Sequence, residues 1–435
     1  MPWRMVGVAA LLAAFSFALP FALNAKASDL DEYFWPAAEL AAHGHPLLVY
    51  TITAGPNPND NGPLALVPLT LVALLANALG WASNLQLRDA LVLACFSGFI
   101  LLAAHEAARV VAMAGGVRRD RAVYAAFCLS VPLWIAVGSF GHVEIALELW
   151  LTLVAFRLVL ERRVAAGGLA LGLVLLTRTN SVVALICMTL VAGADRQVPE
   201  TLRKVTRSLT LLVVAALTTG VGLLPFFLGD RHDLITSMVT FRGALPIGGG
   251  SAWVLLARGL PWAWVVQHYD AALFSGAAAV LVAGSLWSTR SEPVTAARAA
   301  GLLATAACCV PLLAKSTWAY YLAEPYAFAL TWALAIPGRV TLPRWAVPLL
   351  LTAASVLLTV AGPSAPPSTA QVVVGVAASA VIGWAMWLML RRSSIDAVRP
   401  SHTRGQHEQD MTRKPPTLIL TPAAFRRGQG APHQT

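Results

Sequence analysis

The 435-residue sequence predicts an all-α protein, a polytopic transmembrane helical bundle of about 10–12 spans. Three observations lead there. Only 12% of the residues are charged while 57% are hydrophobic, and a water-soluble domain carries roughly 25% charged residues. Too little polar surface remains to cover a globule in water. Apolar runs near bilayer length, about 20 residues, recur from Met5 to Leu390. Such runs, 209–228 among them, are apolar all round. In lipid, backbone N–H groups must be paired inside a helix or a closed barrel. A barrel strand needs alternating polarity, so helices remain.

The run 5–23 is long enough to cross. Arg4 before it and Ala25-Lys26-Ala27 after it also fit a signal peptide; its length favours an uncleaved first helix. Further spans are expected at 89–113, 122–138, 144–160, 208–228, 270–287, 299–314, 323–337, 345–362 and 371–390. The stretch 165–193 holds two apolar halves broken by Thr177-Arg178-Thr179-Asn180-Ser181. Two half-length helices that enter from one side and return fit better than one helix with a central charge. Residues 64–79, between Pro63 and Gly80, are short for a crossing and read as a helix lying in or dipping into the outer leaflet. The chain thus divides into a membrane domain, 1–390, and a Pro-, Gln-, His- and Arg-rich cytoplasmic tail, 391–435, expected to be disordered. The five cysteines lie in apolar runs without metal spacing and read as small buried hydrophobes.

The net charge of +10 is no nucleic-acid footprint. The tail holds eight Lys/Arg against three Asp/Glu, and most other basic residues fall in short loops. Arg118-Arg119, Arg162-Arg163, Arg290 and Arg339 then mark cytoplasmic loops. Residues 24–88, 138–144, 229–269, 315–321 and 363–370 are left on the outer face, with most of the acidic, His, Trp and Tyr residues outside the tail. Long outer loops and short inner ones point to work done at the outer surface.

The densest outer motif is Ser28-Asp29-Leu30-Asp31-Glu32-Tyr33-Phe34-Trp35-Pro36, followed by Glu39, Gly44 and Tyr50. Carboxylates at a membrane surface are partly desolvated and become better bases. The plainer reading is a cap, Ser28 or Asp29, on a helix through 30–42. Glu144 and Glu148 stand one turn apart at an outer helix end, after Gly141-His142-Val143; Glu144 is also a residue that a helix start favours. Lys315 is the basic residue of the loop Lys315-Ser316-Thr317-Trp318-Ala319-Tyr320-Tyr321, and Arg242 stands in Phe241-Arg242-Gly243. Outer cations are few, so these fit either phosphate binding or, for Lys315, snorkelling beside aromatic anchors. Glu106 and Arg109 read as a structural pair near the inner end of their helix, with His105 beside them. Arg178 reads as structural, satisfying loose carbonyls. Gly248-Gly249-Gly250 lacks the ending and context of a nucleotide loop, and no metal motif occurs.

Taken in order, these pieces resemble the GT-C superfamily of membrane glycosyltransferases, above all its polyprenyl-phosphate-mannose-dependent α-mannosyltransferases. The likeness rests on the 28–36 segment with Gly44 and Tyr50, Asn61-Gly62-Pro63-Leu64, Gly141-His142-Val143-Glu144, Glu161-Arg162-Arg163, 167–172, Leu176-Thr177-Arg178, Phe241-Arg242-Gly243, Ser251-Ala252-Trp253 and 315–321. It is spread over roughly residues 5–340, each motif weak by itself. The resemblance implies an inner (plasma) membrane, multi-pass enzyme with a catalytic first extracytoplasmic loop. Such an enzyme moves a sugar, mannose in most relatives, from a polyprenyl-phosphate donor to a cell-envelope glycan or glycolipid acceptor; no cofactor and no metal ligand set is expected, and metal dependence stays open. It implies an Asp general base. Spacing to Tyr33 makes that Asp29, while Asp31-Glu32 resembles a motif of related branches and makes Asp31 a rival. Lys315, Arg242, Glu144, His142, Tyr33 and Tyr320 are then expected to bind substrate. A polytopic transporter or lipid-linked-sugar flippase is the alternative, with the broken 165–193 stretch in its favour.

Overall fold

The computed structural model describes residues 3–23, 29–51, 57–115, 120–194, 201–257, 259–336, 342–361 and 368–398. The chain forms two units, Met1–Ser394 and Ile395–Thr435, and the bundle and candidate site belong to the first. Helix α1 (Trp3–Leu23) is followed by a π-helical turn (Leu30–Phe34) that runs into α2 (Trp35–Ala42). Then come α3 (Pro63–Ala78), α4 (Leu85–Met113), α5 (Asp120–Cys128), α6 (Val131–Trp134), a second π turn (Ile135–Ser139), α7 (Glu144–Leu160), α8 (Val164–Leu175) and α9 (Val182–Gly193). Helix α10 (Thr201–Ile235) leads to a third π turn (Thr236–Thr240), α11 (Phe241–Ala244) and α12 (Trp253–Leu256). The remainder is α13 (Ala263–Ser288), α14 (Ala296–Leu313), α15 (Ala323–Ala335), α16 (Leu342–Ala361) and α17 (Thr369–Val398).

Among the described residues, seven helical stretches are long and apolar enough to cross a membrane: Leu85–Met113, Arg121–Ser139, Thr201–Ala244, Ala263–Ser288, Ala296–Leu313, Arg344–Ala361 and Thr369–Arg391. The chain is a multi-pass helical membrane protein on that ground, with fewer full-length crossings than the ten spans expected. The apolar part of α1, Val6–Phe21, is shorter; α7 has 17 residues and α15 has 13. At 1.5 Å per residue a helix like α15 covers about 20 Å; it starts at Ala323, where the span was expected, and stops at Ala335, short of the expected end at 337. Position in the bundle differs sharply among the long helices. In the apolar window of α14, 83% of residues are buried, against 11% in that of α10. Helix α14 is therefore central, and α10 shows most of its apolar surface to the surroundings.

Local sequence accounts for several element ends. Asn84, Ser130 and Thr295 each accept a backbone N–H three residues on, the usual N-cap bond, at the starts of α4, α6 and α14. Arg162 (φ 64) ends α7 in the left-handed region, with Arg163 N–H donating to Leu158 O at 2.8 Å.

Helices α8 and α9, joined through Thr177–Ser181, bear out the pair of half-length helices, 12 residues each. Helix α8 meets α10 through Gly168 and Gly172, a small-xxx-small pair. A Cβ at Gly168 would stand 2.7 Å from Leu211 O, and one at Gly172 2.4 Å from Thr218 Cβ. Backbones approach this closely only where no side chain intervenes.

Two ion-pair groups mark the ends of the bundle. At one end Arg88, near the start of α4, pairs with Asp31. At the other end Glu106, late in α4, pairs with Arg157, late in α7, and with Arg109, while Arg157 also pairs with Glu161. Helices α4 and α7 therefore run in the same direction. Both ends of α3 lie at the Asp31 end: Gly62 N–H donates to Thr177 O at 3.1 Å, and α4 follows α3 directly into the Arg88 pair. The geometry agrees with the reading of α3 as a helix that does not cross. Its outward face is apolar, with Val67, Leu71, Leu74 and Leu75 exposed and Leu66, Leu69, Val72 and Ala73 buried.

Helix α17 runs to Val398, with Arg391 lying over Trp387. The expectation that all five cysteines are buried is corrected. Cys95 is exposed and Cys128 half-buried, while Cys187, Cys308 and Cys309 are buried as expected. The segment Gly248–Gly249 (β1) is a short strand paired in parallel with Ser316–Thr317 (β2), tying two loops together. Ala25-Lys26-Ala27, Arg118-Arg119, Arg339 and residues 399–435 lie outside the described residues.

Candidate functional site

The expected outer loops converge at the Asp31 end. Three site segments are each introduced by one of the π turns: Asp29 and Tyr33 flank or lie in Leu30–Phe34, His142 follows Ile135–Ser139, and Arg242 follows Thr236–Thr240. A π turn adds a residue to the helical circuit and re-aims the side chains around it, which is why such turns collect at functional sites.

Asp29 does not cap the helix it precedes; its side chain makes no cap bond. Its Oδ2 lies instead 2.8 Å from His142 Nε2. On the other side of the ring, His142 Nδ1 lies 2.6 Å from Glu144 Oε1. The loop Gly141–Val143 can make this approach because Gly141 adopts φ 76, a conformation costly for any residue with a Cβ. Glu144 opens α7, as a helix-start residue should, and is 2% exposed. The imidazole is packed against Tyr320 (ring centroids 3.7 Å apart) and against the edge of Phe34 (5.5 Å).

Burial alone would drive the imidazole neutral. The Glu144 carboxylate and the Asp29 and Glu144 hydrogen bonds outweigh it and push the His142 pKa up to about 9. At neutral pH both ring nitrogens then donate, one to each carboxylate. Asp29 keeps 23% of its side chain open, whereas Glu144 keeps 3%. The chain of groups thus runs from a closed carboxylate through an imidazolium to a carboxylate that a substrate can reach.

Asp31 has a different environment. Arg88, 5% exposed, pairs with it, also bonds Asp89 at 2.8 Å, and stacks over Trp35 at 5.0 Å. Tyr33 follows both aspartates in sequence and packs against Phe241, ring centroids 6.2 Å apart. Burial first, then the charges of Asp29, Asp60 and Glu32, raise its phenol to about 12.

The two expected phosphate-binding cations part company. The Lys315 ammonium is 5% exposed and donates to the carbonyls of Arg242, Gly243 and Gln267. An ammonium has three donors, and all three are engaged. Burial lowers its pKa, and its position explains neither snorkelling nor an open anion site: it staples α11 to α13. Arg242 keeps its charge available. Its guanidinium donates to two neutral acceptors, Thr179 Oγ1 at 2.7 Å and Asn180 Oδ1 at 2.9 Å, at the tip between α8 and α9. Among the described residues no carboxylate lies within ion-pair distance of it. Arg231 and His232 lie at the end of α10 with no pairing of this kind, and Arg258 is outside the described residues.

Arg178 meets carboxylates where loose carbonyls were expected: Glu324 at 3.1 Å and Glu148 at 3.6 Å, with its guanidinium over Tyr321 at 5.4 Å and Tyr320 at 5.8 Å. A buried carboxylate needs a partner, and Glu148 is fully buried. Glu324 escaped the sequence reading because nothing local marks it. His105 binds Tyr124 OH at 2.8 Å and stays with the structural pair Glu106–Arg109.

Asp60 was also missed. It carries no motif of its own, and the only available signal was its place beside Asn61-Gly62-Pro63. Arg242, His142, Glu144 and Arg178 all act on its carboxylate electrostatically, and burial raises its pKa. Among the described residues, no group of three or more His, Cys, Asp or Glu side chains is arranged to hold a metal ion. No protein-family model and no curated protein sequence matches the chain.

Proposed function

We propose that this protein is an integral membrane glycosyltransferase. It moves a sugar, mannose by the resemblance, from a polyprenyl-phosphate carrier to a glycan or glycolipid acceptor at the outer face of the inner (plasma) membrane. The observation that carries this reading is the Asp29–His142–Glu144 chain. Hydroxyl groups are poor nucleophiles, so a carboxylate must take the acceptor proton as the new bond forms. Asp29 is the partly open carboxylate, oriented by an imidazolium that Glu144 holds in turn. Asp31 is the weaker choice, since its charge is already matched by Arg88.

In the proposed step the acceptor oxygen attacks the anomeric carbon and its proton passes to Asp29. The bond from that carbon to the phosphate oxygen breaks, and the phosphate leaves with the electron pair. Arg242 is suited to the charge that develops there, because its present partners are neutral and a guanidinium grips phosphate with two prongs. Tyr33, Tyr320 and His142 supply ring faces beside the reacting centre. Isoprenyl chains of the donor fit the apolar outer surfaces of α3 and α10.

The test is transfer from labelled polyprenyl-phosphate-mannose in membranes with and without the protein, and with Asp29→Asn. Label should reach an acceptor only with the wild-type chain. Half-helices α8 and α9, with the buried Arg178–Glu148–Glu324 group beside their tip, favour the transporter or flippase alternative. Movement of intact lipid-linked sugar across vesicles, with no sugar transferred, would establish that alternative instead.

A further inference from the structure

The segment 57–64 is pinned through Asn57, Asn59, Asn61, Gly62 and Leu64. Asn57 Nδ2 donates to Glu32 Oε2 and Asn57 N–H to Glu32 O; Asn59 Oδ1 accepts the Asn61 N–H at 3.2 Å; Tyr50 OH donates to Asn61 O at 2.9 Å. Gly62 and Leu64 donate to Thr177 O and Leu176 O. Gly62 has no room for a side chain, since a Cβ there would stand 2.0 Å from Leu176 O. Asn59 and Asn61 are buried, at 2% and 5% exposure. Asp60 between them is only half-buried, and among the described residues no hydrogen bond or ion pair reaches its carboxylate. A rigid segment thus presents one unengaged carboxylate among the groups of the candidate site. Asp29 and Asp60 both act electrostatically on Tyr33 and on Tyr320.

A carboxylate with free lone pairs beside aromatic rings suits a polyol. Two adjacent hydroxyls can donate to its two oxygens, while the rings cover the C–H face. A matched hydroxyl pair would satisfy the carboxylate with charge-assisted hydrogen bonds. We propose that Asp60 is a sugar-binding residue whose carboxylate accepts hydrogen bonds from two neighbouring hydroxyls of a pyranose bound beside Tyr33, His142 and Arg242. The assignment rests on the glycosyltransferase reading above and adds a specificity determinant to it. The pyranose is the sugar of the lipid donor or that of the acceptor, and the hydroxyl chemistry is common to both.

The experiment measures binding by the full-length purified chain of three probes: a short isoprenyl-phosphate-mannose, the same isoprenyl phosphate without sugar, and methyl α-mannoside. Asp60→Asn keeps the shape and removes the charge. It should weaken at least one sugar-bearing probe by about tenfold or more and leave isoprenyl phosphate unchanged. Loss on isoprenyl-phosphate-mannose assigns Asp60 to the donor sugar; loss on methyl α-mannoside alone assigns it to the acceptor. Unchanged binding of both sugars overturns the proposal while the wider reading stands. A wild-type chain that binds none of the three overturns both. If Asp60→Asn does not fold, monodeoxy mannosides on the wild-type chain decide: weakened binding confined to two adjacent hydroxyls supports the assignment, and uniform binding across the set overturns it.

Discussion

His142 Nε2 lies 2.8 Å from a carboxylate oxygen of Asp29, across 113 residues of sequence. The same ring reaches Glu144 through its other nitrogen at 2.6 Å. This one imidazole ties the segment after α1 to the start of α7, and its partner Asp29 is thereby set apart from Asp31.

The first prediction concerns that separation. Asp29→Asn should lower sugar transfer by on the order of a hundredfold or more, the usual contribution of a positioned base, with little change in thermal stability. Asp31→Asn should do the reverse. It strips a buried arginine of one of its two carboxylates, which should destabilise the protein by about 1–3 kcal/mol while transfer per folded molecule persists. Activity and thermal unfolding in detergent, measured on both variants, distinguish the roles; equal losses of activity would refute the assignment.

His142 makes stability depend on pH. Its folded pKa, about 9, lies above the ordinary value of 6.5. Its contribution is therefore complete below about pH 6.5 and fades as pH rises through about 9, when the imidazole deprotonates in the folded protein. A shift of this size corresponds to on the order of 3 kcal/mol. Melting temperature recorded from pH 6 to pH 10 should fall across the upper half of that range, and His142→Gln should flatten the fall.

Lys315 and Arg242 should differ in kind. Replacing Lys315 by Ala leaves three carbonyls without their donor and should lower the melting temperature more than it changes donor KM. Arg242→Lys keeps a charge but loses the two-pronged grip and should raise donor KM by about tenfold. A donor KM unaffected by Arg242→Lys would remove it from the phosphate site.

Packing of α8 on α10 should tolerate no side chain. Gly172→Leu places atoms where Thr218 and Ala215 already stand, an overpacking cost of about 1–3 kcal/mol or more. A lowered yield of folded protein in detergent, and recovery with Thr218→Gly, is the expected outcome.

Sidedness is open to a direct check. In a background lacking the exposed Cys95, cysteine at Leu47 should react with an impermeant reagent from outside, and cysteine at Leu202 should not. Both positions are exposed, at 45% and 75%, so reactivity reports the side. The reverse pattern would place the proposed chemistry in the cytosol, where it has no donor.

Much of this architecture was legible before any coordinates. Hydropathy is a property of about twenty consecutive residues, so a window over the sequence finds the long apolar helices, the break at Thr177–Ser181 and the short α3. The basic loops predict sides by the same local logic. The same reading placed the segments around Asp29, His142, Glu144 and Arg242 together, and the structure brings them to one end of the bundle. Crossing length was less legible: α15 begins where its apolar run was expected to begin but stops at Ala335, ahead of the expected end at 337.

What distinguishes Asp29 from Asp31 is not local. They share a loop and a composition, and they differ because one meets His142 and the other Arg88, partners supplied by different helices. Lys315 had the sequence context of an anion site, yet α11 and α13 bring three carbonyls to it and engage every donor. Asp60 had no motif; only the bonds that pin its neighbours reveal it as the unengaged residue. Hydrophobic patterning by itself therefore determined that this chain is a helical membrane protein with its polar machinery gathered at one face. Which side chains meet there was decided by tertiary packing, because a hydrogen bond needs its partner within about 3 Å and residues far apart in sequence reach that distance only when the helices carrying them have docked.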